Sequence, residues 1–225
     1  ISHVLTVGNQ ADVGIEECIE ALVGDPSVSA IGLHMEALGD VPRFEAVCRR
    51  ASEADVPVVV LKTGSSTLGA RIAVSHTSSM VGDATAYRVL FERLGVRQVE
   101  SIPELLDTLA VLDRLGGIPG RRLVSMSCSG GEASVVADRA ESMDLDFPAF
   151  DEGHGARIAG TLSELVSVSN PLDYHTFIWG DPGRLRATFT AVMDGPLDAA
   201  MLVLDFPSAG LDDSGWWPTP GASYR

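Results

Sequence analysis

The stretch Val56-Pro57-Val58-Val59-Val60-Leu61-Lys62 decides the fold class of this 225-residue sequence. It is a continuous apolar run rich in β-branched residues, and such runs are typical of strands buried on both faces of a parallel sheet. Segments with helical periodicity and segments with strand character alternate on either side of it. This alternation predicts an α/β fold in which helices cover both faces of parallel sheets.

The remaining predicted elements continue this alternation along the whole chain. Strands are expected at 3–7, 28–33, 96–99, 123–127 and 199–205, and helices at 14–23, 44–54, 82–94, 103–115, 131–142, 156–166 and 185–193. The strongest break is Gly116-Gly117-Ile118-Pro119-Gly120, which predicts a domain boundary. We therefore expect two α/β domains, 1–117 and 118–225. The tail from Pro207 onward, with Trp216-Trp217, carries no periodicity.

Composition and charge exclude several classes of function. The formal charge of −15 argues against nucleic acid and anionic membrane surfaces as partners, because both select a basic face. The sequence lacks a run of about 18 apolar residues, so no membrane-spanning helix is expected. Three cysteines without CxxC spacing predict neither a disulfide framework nor a zinc site, and buried thiols of this kind are typical of the reducing cytoplasm. Because Ile1 directly precedes a predicted strand, we expect the sequence to be part of a longer protein.

Ligands of open α/β sheets bind beyond the carboxyl ends of the strands, so the loops that follow strands are the candidate sites. In the first such loop, Gly8 permits close approach of a ligand, and Asn9 or Asp12 could instead simply cap the following helix. Glu36 follows the second strand. Its carboxylate could accept a hydrogen bond from a catalytic group, or it could be solvated.

The long segment from Lys62 to Ser79 surrounds His76 with small hydroxylic residues. Long loops in compact domains are usually functional. A neutral imidazole is nucleophilic near pH 7 and can carry a phosphoryl group transiently, while its second ring nitrogen needs an acceptor, for which Glu36 is the candidate. The alternative is an ordinary surface or hydrogen-bonded histidine.

A second loop with anion-binding character is Ser127-Cys128-Ser129-Gly130-Gly131-Glu132, which leads from a strand directly into a helix. Its backbone N–H groups and the positive end of the helix dipole could bind an anion. The spacing matches neither the P-loop nor the dinucleotide fingerprint, and it also fails the G-x-S-x-G pattern of hydrolases.

Taken in order, these segments resemble the NDP-forming acyl-CoA synthetases, the superfamily that includes succinyl-CoA synthetase and the ADP-forming acetyl-CoA synthetases. The family's VGNEAD turn is similar to residues 7–12, and its VVVLKAG and SHTG motifs are similar to residues 58–64 and to Ser75-His76-Thr77. Its NSGG and GNPVD segments are similar to Ser129-Gly130-Gly131 and to Ser169-Asn170-Pro171-Leu172-Asp173. The similarity runs from residue 1 to about 205. Four motifs in the same order, with VVVLKAG and SHTG counted as one pair, are far more specific than any one.

The resemblance implies two flavodoxin-like domains of the succinyl-CoA synthetase type and a phosphohistidine mechanism. An acyl phosphate and CoA would interconvert with acyl-CoA, and the phosphoryl group would pass between acyl phosphate and nucleotide through His76, oriented by Glu36. Phosphate or substrate would be bound by the matched motifs, that is by Gly8, Asn9, Ser75, Thr77, Ser129, Gly130, Gly131, Asn170 and Asp173.

The resemblance also implies partners and shows departures. CoA, ATP or another NTP, and Mg²⁺ would be bound mainly by a CoA-binding domain and an ATP-grasp domain in the same or a partner chain, and the family commonly assembles from paired units. In this sequence Ser78 replaces the family's usual glycine two residues after the histidine. Tyr174 and Trp179 make the segment after Asp173 unusually aromatic, which predicts either an acyl pocket or core packing.

Two other functions fit the same sequence features. A non-catalytic ligand-sensing module could use the same fold, because fold does not fix function. A hydrolase could use Cys128 or Ser129 as nucleophile with His76 as base. The sensor would need neither His76 nor Glu36, and the hydrolase would need groups from two different domains.

Overall fold

The computed structural model describes residues 1–8, 10–66 and 84–204. The chain divides into two compact units, Ile1–Gly117 and Ile118–Arg225. Each unit is an α/β domain built on a three-stranded parallel sheet. The tail with Trp216-Trp217 lies outside the described residues.

The first unit places a fully buried strand at the centre of its sheet. Its elements are α1 (Ile15–Val23), β1 (Ile31–Met35), α2 (Val41–Glu53), β2 (Val58–Lys62), α3 (Ala84–Leu94), β3 (Arg97–Val99) and α4 (Ile102–Leu115). The strand order is β1-β2-β3, and every residue of β2 is buried. The apolar run that predicted a two-sided parallel strand is therefore this central strand.

Successive residues of β2 point into two different clusters. Val58 and Val60 pack with α1, α2 and α3, where Phe44 and Phe91 are the largest buried side chains. Val59 and Leu61 pack on the other face, against residues of β3 and α4. Side chains alternate across a sheet, so this strand contributes to an apolar layer on each face. Because both faces are buried, its sequence shows no alternation of apolar and polar residues.

The second unit repeats this plan with a shorter sheet. Its elements are β4 (Leu123–Ser127), α5 (Gly130–Ala140), α6 (Glu152–Ala159), β5 (Leu172–Asp173), a 3₁₀ turn (Thr176–Ile178), α7 (Pro182–Met193) and β6 (Ala199–Leu202). The strand order is β5-β4-β6, and β4 is buried along its whole length. Ile158 of α6 and Leu185 and Val192 of α7 belong to the apolar cluster around β4.

An ion pair joins the starts of β4 and β6. The backbone N–H of Arg122 donates to Asp198 at 2.9 Å, and the guanidinium donates to both carboxylate oxygens at 3.3 and 3.1 Å. These hydrogen bonds and the positive charge lower the pKa of Asp198 to about 2. The pair thus fixes the position of the edge strand relative to the central one.

Three predicted elements are corrected by the structure. Residues 3–7 form no strand: Val4 and Leu5 are largely exposed, and an extended segment becomes a strand only by pairing with a neighbour. The strand predicted at 28–33 is β1 and begins at Ile31. The helix predicted at 156–166 is α6, which begins after its cap Asp151 and ends at Ala159, so Leu162 packs in the core from a non-helical segment.

The cysteine and membrane expectations can be compared directly with the described part of the chain. Cys18, Cys48 and Cys128 are all free thiols, and burial together with the charge of Glu16 raises the pKa of Cys48 to about 12. Within the described ranges, no helix combines the length and the apolar character that crossing a bilayer requires.

Candidate functional site

Glu36 lies at the carboxyl edge of the first sheet, directly after β1. The last residue of β1, Met35, pairs with Lys62 at the end of β2, so the two strands end level with each other. Glu36 is half-buried, and its Oε2 atom is shielded from solvent while accepting no hydrogen bond from any described residue. Leaving such an acceptor unsatisfied costs about 1–3 kcal/mol, so this carboxylate is suited to a donor that comes from elsewhere.

Lys62 is the cation at this edge, and the sequence did not single it out as a site residue. Its side chain is only 6% exposed. Its Nζ donates to the carbonyl oxygen of Thr63 at 2.6 Å and lies 4.7 Å from the centre of the Tyr87 ring. Burial lowers the pKa of Lys62 below its ordinary value of 10.5, and the negative charge of Glu36 opposes part of that effect. Lys62 and Glu36 form neither a hydrogen bond nor an ion pair within 4 Å of each other.

The loop that carries Glu36 is held from three sides. The hydroxyl oxygen of Tyr87, on α3, accepts the N–H of Leu38 at 3.0 Å. The side-chain amide of Gln10 donates to the carbonyl of Ala37 at 3.3 Å. The N–H of Thr63 donates to the carbonyl of Met35 at 3.0 Å. These bonds fix the backbone on both sides of Glu36, which leaves its side chain as the adjustable group.

The predicted turn before α1 is arranged differently from the sequence-based expectation. Gly8 has a φ of +55°, the left-handed conformation that suits glycine, and the following Asn9 lies outside the described residues. The cap of α1 is Gly14, whose N–H donates to the Glu17 carboxylate at 2.9 Å. The prediction that Asp12 could cap this helix is therefore wrong, because Gly14 is the cap and the side chain of Gln10 accepts the N–H of Ile15 at 3.2 Å.

The remaining predicted residues of this site, Ser75, His76 and Thr77, lie outside the described residues. The described chain on either side is nevertheless informative. Ser66 follows closely on Lys62, and α3 begins at Ala84 and brings Tyr87 against both Leu38 and Lys62. Both flanks of the segment that contains His76 therefore belong to the same sheet edge as Glu36.

In the second unit, Ser129, Gly130 and Gly131 form the amino terminus of α5. Ser129 is the N-cap, and its hydroxyl oxygen accepts the N–H of Glu132 at 3.3 Å. Gly130 and Gly131 are exposed, and the first N–H groups of a helix have no intrahelical acceptor. The helix terminus has the partial positive charge of the helix dipole, and its role in binding an anion stays a prediction.

Asp173 also lies beside this helix terminus, at the end of β5. A Cβ added at Gly130 would lie 3.4 Å from its Oδ2 atom. Its Oδ1 accepts the N–H of His175 at 2.9 Å, and the His175 ring lies 3.5 Å from Oδ2. A carboxylate repels phosphate, so this geometry suits Asp173 to orienting His175 rather than to contacting phosphate itself.

Asn170 lies away from this helix terminus, near the start of β4. Its side-chain carbonyl accepts the N–H of Ser125 at 3.3 Å, and its side-chain NH₂ donates to the carbonyls of Leu123 and Pro148 at 2.8 and 3.0 Å. These bonds use both ends of the amide to join the segment before β5 to β4. In the structure the Asn170 amide therefore joins backbone segments, and its predicted role in binding phosphate or substrate stays a prediction.

Tyr174 and Trp179, the two aromatic residues predicted for an acyl pocket, pack inside the second unit. Tyr174 is completely buried, and its ring meets Phe189 of α7 edge to face with centroids 5.4 Å apart. Trp179 is half-buried against the same cluster. Of the two roles expected for these residues, the geometry favours core packing.

The hydrolase alternative finds little support in the second unit. The thiol of Cys128 is buried and donates to the Glu132 carboxylate at 3.7 Å, and the hydroxyl of Ser129 is used as a helix cap.

In the described part of the chain, no group of three or more His, Cys, Asp or Glu side chains could hold a metal ion.

Comparisons with known proteins agree with this α/β organisation. The family described as the succinyl-CoA ligase-like flavodoxin domain matches residues 1–112. Trans-feruloyl-CoA synthase FCS1 of an unknown prokaryotic organism is 28% identical over 94% of this chain and 30% of its own length. The alpha subunit of the ADP-forming acetate–CoA ligase I of Pyrococcus furiosus is 32% identical over 77% of this chain and 37% of its own length.

A solved structure shows the same fold. An acetyl-coenzyme A synthetase of Ca. Korarchaeum cryptofilum, determined in complex with phosphate and ADP, superimposes with a TM-score of 0.76 at 24% identity, over 88% of this chain and 43% of that protein. The chain spans about a third of the length of the curated relatives it matches, 30% and 37% for the two named above.

Proposed function

Through residues 1–112 the chain belongs to the family of succinyl-CoA ligase-like flavodoxin domains, and from this premise we propose that it is the phosphoryl-transfer core of an NDP-forming acyl-CoA synthetase. The complete enzyme would be an acid–thiol ligase. It would release ADP when it forms acyl-CoA, and it would consume ADP when it cleaves acyl-CoA. Relatives named as ADP-forming CoA ligases support this activity class.

The observation that carries the proposal is the shielded Oε2 atom of Glu36, which accepts no hydrogen bond from any described residue. An imidazole N–H is a donor of the right kind. His76 is the histidine of the segment whose two described flanks lie at this edge. A hydrogen bond from one ring nitrogen to Glu36 would fix the tautomer and leave the other nitrogen nucleophilic.

In the proposed step the free ring nitrogen of His76 attacks the phosphorus of an acyl phosphate. An N–P bond forms while the P–O bond to the acyl group breaks, and the carboxylate leaves with the electron pair. The phosphoryl group then passes from His76 to a terminal phosphate oxygen of a nucleoside diphosphate. During transfer the ring of His76 gains positive charge, and the negative charge of Glu36 stabilises that charge.

In the second unit, the amino terminus of α5 is proposed by itself as a phosphate-binding element. Gly130 and Gly131 offer N–H groups and the positive end of the helix dipole, which suit a phosphate. Gly8 and Asn9 in the first unit, and Ser75 and Thr77 next to His76, are proposed as further phosphate or substrate contacts from their motifs. Asn170 and Asp173 are left out of this set, because the Asn170 amide bonds to backbone groups and the Asp173 carboxylate accepts the N–H of His175.

The rest of the reaction would depend on domains that lie outside this chain. CoA and the nucleotide are proposed to bind mainly to a CoA-binding domain and an ATP-grasp domain, in the same polypeptide or in a partner, as the name of the Pyrococcus furiosus alpha subunit suggests. Magnesium is proposed to arrive with the nucleotide. The named relatives act on different acids, so we propose only a carboxylic acid as substrate.

The test is phosphate incorporation in the complete enzyme. Wild-type protein incubated with γ-labelled ATP should take up label that is lost in acid and stable in base, and His76→Ala should take up none. His3→Ala is the matched control, because His3 is an exposed histidine of the same unit. Labelling of His76→Ala at the wild-type level would refute the assignment, and a wild type that takes up no label would favour the non-catalytic ligand-sensing module.

A further inference from the structure

His175 and Asp173 form a side-chain pair at the carboxyl end of β5, the end of a strand beyond which α/β sheets bind their ligands. The Nε2 atom of His175 lies 3.5 Å from Oδ2 of Asp173, and Oδ1 of the same carboxylate accepts the backbone N–H of His175 at 2.9 Å. One carboxylate therefore holds both the ring and the backbone of this histidine. A carboxylate beside Nε2 favours the tautomer with its proton on that nitrogen, which leaves Nδ1 as the basic atom.

The ring of His175 is also held at its face. The ring of Phe177 lies nearly parallel to it, at an angle of 9° and with centroids 5.3 Å apart. Tyr174 and Ile178 are buried in the core and anchor the turn that carries both rings. The His175 side chain is nevertheless 41% exposed, and its Nδ1 atom forms no hydrogen bond with any described residue. The turn thus buries its apolar anchors and leaves a basic ring nitrogen available.

The backbone of His175 has a conformation that histidine rarely adopts. Its φ is +57° and its ψ is 170°, a combination that is essentially confined to glycine. Such conformations persist only where the surrounding structure imposes them, and they are concentrated at functional sites. Glycine would occupy this position without strain, so an imidazole at this place indicates that the ring itself has a task.

The proposed reaction includes one proton transfer that phosphoryl transfer through His76 does not provide. Carboxylates and phosphates react in their ionised forms, whereas CoA carries a thiol that reacts as the thiolate. The proton that the sulfur loses needs an acceptor, and histidine is the side chain that most often acts as a general base. An imidazole oriented by a carboxylate is a recurring form of such a base.

We propose that His175 is the general base for the thiol of CoA, with Asp173 as its positioning residue. The inference deepens the proposed function and rests on it. When acyl-CoA forms from an acyl phosphate, Nδ1 of His175 takes the thiol proton and the sulfur forms a bond to the acyl carbon. The bond from that carbon to the phosphate oxygen breaks, and phosphate leaves with the electron pair. In the reverse direction phosphate attacks the acyl carbon, and the imidazolium returns the proton to the leaving sulfur.

A second histidine–aspartate pair of the chain provides the matched control. His3 lies 3.7 Å from Asp25, and its side chain is 40% exposed, compared with 41% for His175. His3 and Asp25 both precede β1, so this pair does not lie at the carboxyl end of a described strand. The two pairs therefore share their chemistry and their exposure and differ in their position in the fold.

The experiment measures two rates in the complete enzyme. One is thioester formation from CoA with acetyl phosphate, or with benzoyl phosphate as an aromatic probe, and the other is histidine labelling by γ-labelled ATP. His175→Gly should slow thioester formation by about 100-fold or more, the usual contribution of a general base, and should leave the labelling rate unchanged. The variant should fold, because glycine suits the φ of this position. His3→Gly should change neither rate.

Two further measurements separate a base from a structural residue. Imidazole added to His175→Gly should restore part of the rate of thioester formation, and it should not accelerate the wild type. Asp173→Asn keeps an acceptor for the His175 N–H but loses the negative charge, so it should slow thioester formation by about tenfold, within the range for residues in contact. The double variant should be no slower than His175→Gly alone, because Asp173 acts through His175.

The possible results distinguish this inference from the proposed function. Thioester formation at the wild-type rate in His175→Gly overturns the inference alone, and the labelled wild type then still supports the proposed function. A slowed rate that imidazole does not restore assigns His175 a structural role and also overturns the inference. A wild type that takes up no label, or converts neither acyl phosphate, overturns the proposed function and the inference with it.

Discussion

Tyr87 tests how the Glu36 loop is held, because its ring and its hydroxyl have separate tasks. The hydroxyl oxygen accepts the N–H of Leu38 at 3.0 Å, while the ring lies beneath Lys62 and 5.7 Å from the ring of Phe91, centroid to centroid. Tyr87→Phe removes only the first contact. Tyr87→Leu removes all three.

The expected magnitudes follow from these contacts. A lost neutral hydrogen bond costs about 0.5–1.5 kcal/mol, which corresponds to a decrease of about 2- to 13-fold in the protection of the Leu38 amide from hydrogen exchange. Tyr87→Leu should lose about 0.5–2 kcal/mol more from the cation–ring contact and about 0.5–1.5 kcal/mol from the ring pair. The order of protection should therefore be wild type, then Tyr87→Phe, then Tyr87→Leu.

Native-state hydrogen exchange at Leu38 is the assay, since it reports on this loop without requiring both units to unfold together. Amides of β2 should keep their protection in Tyr87→Phe, which separates loosening of the loop from loss of the fold. Arg88→Met is the control, because it changes the same helix on its exposed side. Wild-type protection of Leu38 in Tyr87→Phe would refute the claim that this hydroxyl holds the loop.

Two further predictions concern the second unit. Asp198→Asn should lower the melting temperature of this unit at pH 7. Because the pKa of Asp198 is lowered to about 2 in the wild type, the difference in melting temperature between the two proteins should be full above the ordinary aspartate pKa and should vanish as pH falls toward 2. A difference in melting temperature that does not change with pH would contradict the role of the Arg122 pair. Gly195→Ala should destabilise the unit by about 1–3 kcal/mol in urea denaturation, since overpacking has this typical cost. The added Cβ of residue 195 would lie 2.5 Å from the buried His154 ring, whose Nε2 lies 2.8 Å from the Ala191 carbonyl oxygen. An unchanged midpoint of urea denaturation would show that the ring can move aside.

The sequence predicted the type of most elements but placed several helix starts too late. The helices α2 and α7 were expected from Phe44 and Leu185, their first inward-facing apolar residues. Both begin directly after an aspartate cap, Asp40 or Asp181, with a proline at the first or second position. A first turn faces solvent and needs no apolar residue, so the cap and the proline mark a helix start that apolar periodicity misses.

The site was only partly predictable, for a reason that lies in strand register. Glu36 was found because it follows a strand, and Ser129 because a glycine pair follows a strand. The side chains that a loop residue faces depend on the residue at which the neighbouring strand ends. The pairing of Met35 with Lys62 supplies that information, and it cannot be read from either strand alone.

Lys62 shows the consequence most clearly. As the last residue of an apolar run it could equally be a solvated strand end, and lysine is among the residues least often buried. Only the structure shows that the strand carries it into the interior, beneath a loop whose carboxylate accepts no hydrogen bond from the described residues.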